Sequence, residues 1–141
     1  MTTTRFSEAQ DALDQAVAGW NRAGSSWNAD ALAATYAEDG LLFGGRPGHF
    51  VGREAIRGYF ASYDGVILAG TMQMSDTELR VLAPGCVLAQ GMVEFTFTLA
   101  GNEQTRSTLR ATLVLTQVAD GWRIADHHFS TIPAAPPLGK D

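Results

Sequence analysis

The feature that most constrains this chain is its second half, where four long stretches rich in Val, Leu, Phe and Thr are separated by very short breaks. The stretches run near Thr71 to Leu82, Cys86 to Leu99, Thr105 to Val118 and Trp122 to Thr131, and the breaks are Ala83-Pro84-Gly85, Ala100-Gly101-Asn102 and Ala119-Asp120-Gly121. Strands joined by turns this short run antiparallel, since a parallel crossover needs a dozen residues or more. Between Val87 and Leu99 one parity (Val87, Ala89, Gly91, Val93, Phe95, Phe97, Leu99) is apolar, while the other carries Gln90, Glu94, Thr96 and Thr98. The sheet therefore has one face for a core and one of mixed character.

The first half reads as helices. Phe6, Ala9, Leu13, Ala16, Val17 and Trp20 recur at helical spacing, with Glu8, Asp11, Asp14, Gln15 and Arg22 on the other face, until Gly24, Ser25 and Ser26 stop the pattern. Asn28 is placed to cap a short second helix in which Leu32 and Tyr36 share a face, with Glu38-Asp39-Gly40 turning the chain into a brief strand at Leu41 to Phe43. A third helix is expected from about Arg53 to Tyr63, burying Ile56, Tyr59, Phe60 and Tyr63. Three helices ahead of a bent, mainly antiparallel sheet give an α+β cone that covers one concave sheet face and encloses a pocket. The 141 residues suffice for one domain, 1–141, with an irregular tail over 133–141 that holds Pro136 and Pro137.

Charge and hydropathy remove several partners. Net charge is −5, and the ten Lys and Arg are scattered, so no basic track for nucleic acid is present. Apolar runs such as Val66 to Ala69 fall far short of the roughly 20 residues of a membrane helix, so no membrane association is expected. Glu8, Asp11 and Asp14 stand where a secretory signal would be apolar, which points to a cytoplasmic protein. Cys86, the one cysteine, opens an apolar run and reads as a small buried residue, not a nucleophile.

The residues with chemistry to offer are polar side chains on strands that are otherwise apolar. Arg110 stands between Leu109 and Ala111 and shares parity with Thr112 and Val114. On the last strand Asp126 and His128 share parity with Trp122, Ile124 and Ser130, and His127 points the other way. Adjacent His127 and His128 cannot both grip one metal from a regular strand, and no ligand spacing motif is present, so neither a metal nor a cofactor is expected. Pairing through the Ala119-Asp120-Gly121 turn sets residues whose numbers sum to about 240 opposite each other, bringing Arg110 to the Ser130 end, within reach of His128. One reading makes Arg110 an anion anchor for a carboxylate or enolate and His128, with Asp126, the acid or base. A guanidinium inside such a strand would need an anionic partner. The other reading makes the three a structural hydrogen-bond and ion-pair set at a subunit interface or cavity mouth. Glu94, Trp20 and Tyr59 are further candidates for the pocket wall. His49 is one from the Gly-rich segment Gly44 to Phe50, which reads as a flap over the pocket.

Three motifs carry a family resemblance: Tyr36-Ala37-Glu38-Asp39-Gly40, Val51-Gly52-Arg53-Glu54-Ala55-Ile56, and Asp120-Gly121-Trp122-Arg123-Ile124 followed by His127-His128-Phe129-Ser130. From about Phe6 to Pro133 the chain resembles the nuclear transport factor 2-like family in its bacterial SnoaL-like members. The spacing Trp122-x-Ile124-x-x-x-His128-x-Ser130-x-x-Pro133 is also similar to the association domain of calcium/calmodulin-dependent kinase II. Counted from the first motif, the resemblance puts Trp20 where steroid isomerases of this family carry a catalytic Tyr, and Gly44 where they carry an Asp. Arg110-Ala111-Thr112 stands where limonene-type epoxide hydrolases carry Arg-x-Asp. Neither mechanism transfers. Three readings remain open: a cofactor-independent acid/base enzyme (isomerase, cyclase or dehydratase) on a small apolar or acidic substrate, a non-catalytic small-molecule binder, and a homo-oligomerisation domain. A homodimer is expected in each, because three helices cover only one face of the sheet.

Overall fold

The computed structural model describes residues 2–139, with side chains from Ser7 onward; the Phe6 side chain and the tail residues Lys140 and Asp141 lie outside the described residues. Helices α1 (Thr2–Gly24), α2 (Ala29–Ala34) and α3 (Arg53–Ala61) pack on one face of a sheet built from β1 (Tyr36–Phe43), β2 (Phe50–Val51), β3 (Ile67–Ala83), β4 (Cys86–Leu99), β5 (Glu103–Val118) and β6 (Gly121–Ser130). The sheet order is β2-β1-β6-β5-β4-β3, antiparallel throughout except where β1 runs parallel to β6. The α+β architecture expected from the sequence is the one observed.

Each helix is placed by its pattern. Ala9, Ala12, Leu13, Ala16, Trp20 and Ala23 form the buried stripe of α1. The Asn21 amide then fastens that helix to the edge strand, accepting from Met72 N at 2.8 Å and donating to Met72 O at 3.0 Å. Asn28 caps α2 by accepting from Ala31 N at 3.0 Å. The third helix buries Ile56, Tyr59 and Phe60 and ends at Ala61, two residues earlier than expected, in the turn leading to β3.

One expectation fails here. Tyr36 does not share a helical face with Leu32, and Glu38-Asp39-Gly40 do not form the closing turn of α2; all four belong to β1. Two contacts draw this segment out. Ile124 N donates to Thr35 O at 2.9 Å, and the Arg53 guanidinium clasps Tyr36 O through Nε at 3.1 Å and Nη2 at 2.6 Å. Propensity over six residues is outweighed by a strand partner and a charge-assisted clamp.

The sheet bends through irregularities that the pattern did not reveal. On β3 the ladder passes from Ser75↔Met92 to Glu78↔Gln90, one residue extra, with Asp76 at φ 50°. This bulge folds over Gly91, where a Cβ would stand 2.7 Å from Ser75 O, so only glycine fits. On β6 the ladder passes from Leu115↔Ile124 to Val114↔Asp126, leaving Ala125 as the extra residue. The second bulge changes which histidine faces the core.

Candidate functional site

Between the helices and the concave sheet face lies a chamber of about 170 Å³. Its wall is made by Trp20 and Trp27 from the α1 end, Tyr59, Phe60 and Tyr63 from α3 and its exit, Phe95 and Phe97 from β4, Ser107 and Leu109 from β5, and Phe129 from β6, with Ile67 and Gly45 completing it. The rings meet mostly edge to face: Trp20 is 6.1 Å from both Trp27 and Phe60, and Trp27 is 5.8 Å from Phe60. The Trp27 indole is locked by donating to Phe60 O at 3.1 Å, and glycine at position 70 makes room for it, since a Cβ there would stand 2.9 Å from its ring.

Polar groups at the chamber are few. The Tyr59 hydroxyl accepts from Gly45 N at 2.9 Å, and burial raises its pKa well above the ordinary phenol value, so it stays protonated. The loop carrying Gly45 is held on α3 from outside as well. Arg46 stacks over the Tyr63 ring at 4.2 Å and donates to Ser62 Oγ and O at 3.3 and 3.2 Å.

From Trp20 in the chamber wall a buried hydrogen-bond chain runs into the layer behind it. Trp20 Nε1 donates to the Tyr36 hydroxyl at 3.3 Å, and that hydroxyl lies 2.7 Å from His127 Nδ1. Tyr36 and His127 are both fully buried. Burial raises the Tyr36 pKa, and it lowers that of His127 to about 3, with the neighbouring His128 adding to the effect. His127 is thus neutral, and its Nε2 is a buried polar atom without a hydrogen-bond partner among the described residues.

The residues singled out from the sequence divide between two faces. Trp20 and Tyr59 line the chamber. Arg110, Asp126 and His128 do not enter it. The Ala125 bulge separates Asp126 and His128 from the parity of Trp122 and Ile124, so that Ile124, His127 and Phe129 face the core while Asp126, His128 and Ser130 face outward. The register argument itself is reproduced: Arg110 pairs with Ser130, and Thr112 with His128. Arg110 is exposed on the outer face, and among the described residues neither it nor Asp126 nor His128 makes an ion pair, so no buried guanidinium demands an anion. Arg110 and His128 instead border an outer hollow of about 630 Å³ whose opposite rim carries Asp76 and Glu78 from the β3 bulge. Glu94 is half-buried on that outer face, opposite Gln73 and Thr108. His49 is exposed in the Gly-rich loop, stacked on Phe43 at 4.4 Å. Cys86 is half-buried, not enclosed. Among the described residues no group of three or more His, Cys, Asp or Glu is placed to hold a metal ion.

The main inner residues that sequence reasoning missed are Trp27, Tyr36, His127 and Phe129. Trp27 sits at φ 48° just past α1 and gives no periodic signal, and the other three depend on strand irregularities.

A cone of helices on a curved, mainly antiparallel sheet, with an aromatic-lined cavity between the two layers, is the architecture of a class of small α+β proteins. Residues 13–135 match the SnoaL-like domain model, and the chain belongs to that family, within the nuclear transport factor 2-like superfamily. Among solved structures it is similar to a Xanthomonas campestris protein named for the calcium/calmodulin-dependent protein kinase II association domain (25% identity, 91% of this chain and 88% of that one, TM-score 0.76). It is also similar to a Novosphingobium aromaticivorans protein named for scytalone dehydratase (15% identity, 100% and 99% covered, TM-score 0.73). A third is a ketosteroid isomerase-like protein from Erwinia carotovora atroseptica (21% identity, 86% and 95% covered, TM-score 0.67). The last two show a shared fold. Among curated proteins no sequence matches this chain.

Proposed function

We propose that this protein binds a small, mainly apolar, ring-sized molecule in the aromatic chamber. The observation that supports this reading is the chamber itself: about 170 Å³ lined by eight aromatic side chains. An apolar cavity of about 150 Å³ stays dry and accepts a benzene-sized guest, so a single ring fits and a steroid does not without rearrangement. No carboxylate or histidine belongs to the wall, and its titratable groups are the Tyr59 and Tyr63 hydroxyls. Binding is therefore favoured over acid/base turnover of the dehydratase or isomerase kind, for which Tyr59 would be the available proton donor. Saturable binding of toluene, followed by NMR shifts of the Ile67 methyl groups, tests the proposal. Leu109→Trp, which fills the chamber, should abolish it; binding that survives in that variant would sink the reading.

The outer face favours a second, compatible proposal, a homodimer. Arg110 and His128 lie on one side of the outer hollow and Asp76 and Glu78 on the other. A two-fold axis across it would set each Arg110 against the partner copy's β3 rim, where Glu78 is bridged to Arg80 at 3.5 Å and Asp76 makes no ion pair among the described residues. In this setting Arg110, Asp126, His128 and Glu94 serve assembly instead of chemistry, in keeping with the association-domain name of the Xanthomonas protein. Light scattering on wild type and Arg110→Glu decides it: a dimer that weakens in the variant is expected, and a wild-type monomer at micromolar concentration contradicts it.

A further inference from the structure

The buried chain Trp20, Tyr36, His127 has a direction set by its members' proton inventory. A Trp indole N–H only donates, so the Tyr36 hydroxyl oxygen is its acceptor at 3.3 Å. The hydroxyl has one proton of its own, and the other polar atom shown against it is His127 Nδ1 at 2.7 Å. Donating that proton to Nδ1 satisfies both groups; the reverse orientation would leave the Tyr36 proton orphaned inside the core. With Nδ1 accepting, the single proton of the neutral imidazole resides on Nε2. This is the atom that has no partner among the described residues, on a side chain with 0% exposure.

A lone buried N–H donor is costly to a fold. The His127 ring lies 5.0 Å from Phe129, and its hydrogen-bond and stacking partner Tyr36 touches Trp20 and Phe60. Phe129, Trp20 and Phe60 all belong to the chamber wall, so the imidazole forms the layer directly behind it. Phe129 is half-buried and borders the outer mouth formed by the Gly44 to His49 loop as well as the chamber, which gives its ring somewhere to go.

We infer that His127 is the polar anchor of the chamber, its Nε2–H donating to the oxygen of a ring-sized carbonyl compound once Phe129 turns aside. Tyr36 and Trp20 are positioning residues that keep the proton on Nε2. This inference rests on the chamber-binding proposal and adds the class of ligand: an aromatic or alicyclic ring bearing an aldehyde, ketone or ester oxygen, in preference to a plain hydrocarbon.

The test uses two probes of nearly the same shape, acetophenone and α-methylstyrene, which differ by C=O against C=CH₂. Their dissociation constants are measured by NMR titration of wild type, His127→Phe and Tyr36→Phe, and the tautomer of His127 by its ring ¹⁵N shifts. Partitioning from water differs between the probes but cancels when the ratio of their constants is compared across variants. Protonated Nε2 is expected in wild type. The acetophenone to α-methylstyrene ratio should rise about tenfold in His127→Phe, the value of one hydrogen bond lost. Tyr36→Phe, which leaves the proton free to move to Nδ1, should show a smaller rise and mixed tautomers. A proton found on Nδ1 in wild type overturns the inference. So does an unchanged ratio in His127→Phe while both probes still bind, an outcome that leaves the chamber proposal intact. Failure of both probes to bind wild type would overturn the chamber proposal and this inference with it.

Discussion

His127 and His128 are neighbours in the chain and occupy opposite sides of one sheet. The first is enclosed among Tyr36, Phe129 and the layer behind the chamber, neutral and fully buried. The second is exposed on the outer face, beside Phe43 and across from Thr112. The same contrast holds for the two faces at large. Inside, a fully buried polar atom is either matched or conspicuous, because nothing but protein surrounds it. Outside, Arg110 is exposed, Asp126 and Glu94 are half-buried, and none of the three makes an ion pair among the described residues. Polar residues on an apolar-looking strand therefore become informative only once the face they occupy is known.

The sharpest way to test that contrast is to remove one large group from the inner face. Trp20→Ala takes away a ring that meets Trp27, Phe60 and Phe95 and deletes the donor to Tyr36. It should cost roughly 3–5 kcal/mol in urea unfolding.

Next in size is the acid response of His127. Its folded pKa of about 3 lies below the ordinary histidine value of 6.5, because burial disfavours the charged imidazolium, so as pH falls the unfolded chain takes up a proton that the folded protein refuses. Stability is full above about pH 6.5 and declines below it, by roughly 1.4 kcal/mol per pH unit, until the folded imidazole itself titrates. Urea midpoints measured between pH 6.5 and 4.5 should show this slope in wild type and lose it in His127→Phe. A slope that persists in the variant would assign the acid response to other groups.

A smaller effect is expected where the loop meets the chamber. Tyr59→Phe keeps the ring and removes the acceptor of Gly45 N–H, for about 1 kcal/mol and faster hydrogen exchange at that amide. The smallest effect belongs to the outer face. Arg110→Met should change monomer stability by less than about 0.5 kcal/mol, because the guanidinium is exposed and unpaired among the described residues. A large loss in chemical denaturation at concentrations low enough to exclude dimers would reverse the comparison between the faces.

Much of this architecture follows from local pattern alone. The alternation from Val87 to Leu99 identified the inner face of β4, whose Val87, Ala89, Val93 and Phe95 are all buried. The short turns dictated antiparallel pairing, and the turn at Ala119-Asp120-Gly121 gave the Arg110↔Ser130 register directly. The helical stripe that ends at Trp20 placed that residue against the sheet, and Tyr59 followed from the stripe of α3. These features are legible because alternation, helical spacing and turn length act over a few neighbouring residues and need no distant partner. What tertiary structure alone decided is the identity of the inner polar residues. Counting by twos from Ile124 puts Asp126 and His128 inside, and one extra residue at Ala125 puts His127 there instead. Similarly, Tyr36 continues a plausible helix until Arg53 and β6 draw it into a strand, where its hydroxyl meets His127. A bulge and a strand boundary are settled by contacts between segments far apart in the chain, so the parity that assigns a side chain to core or solvent is fixed only when those segments meet.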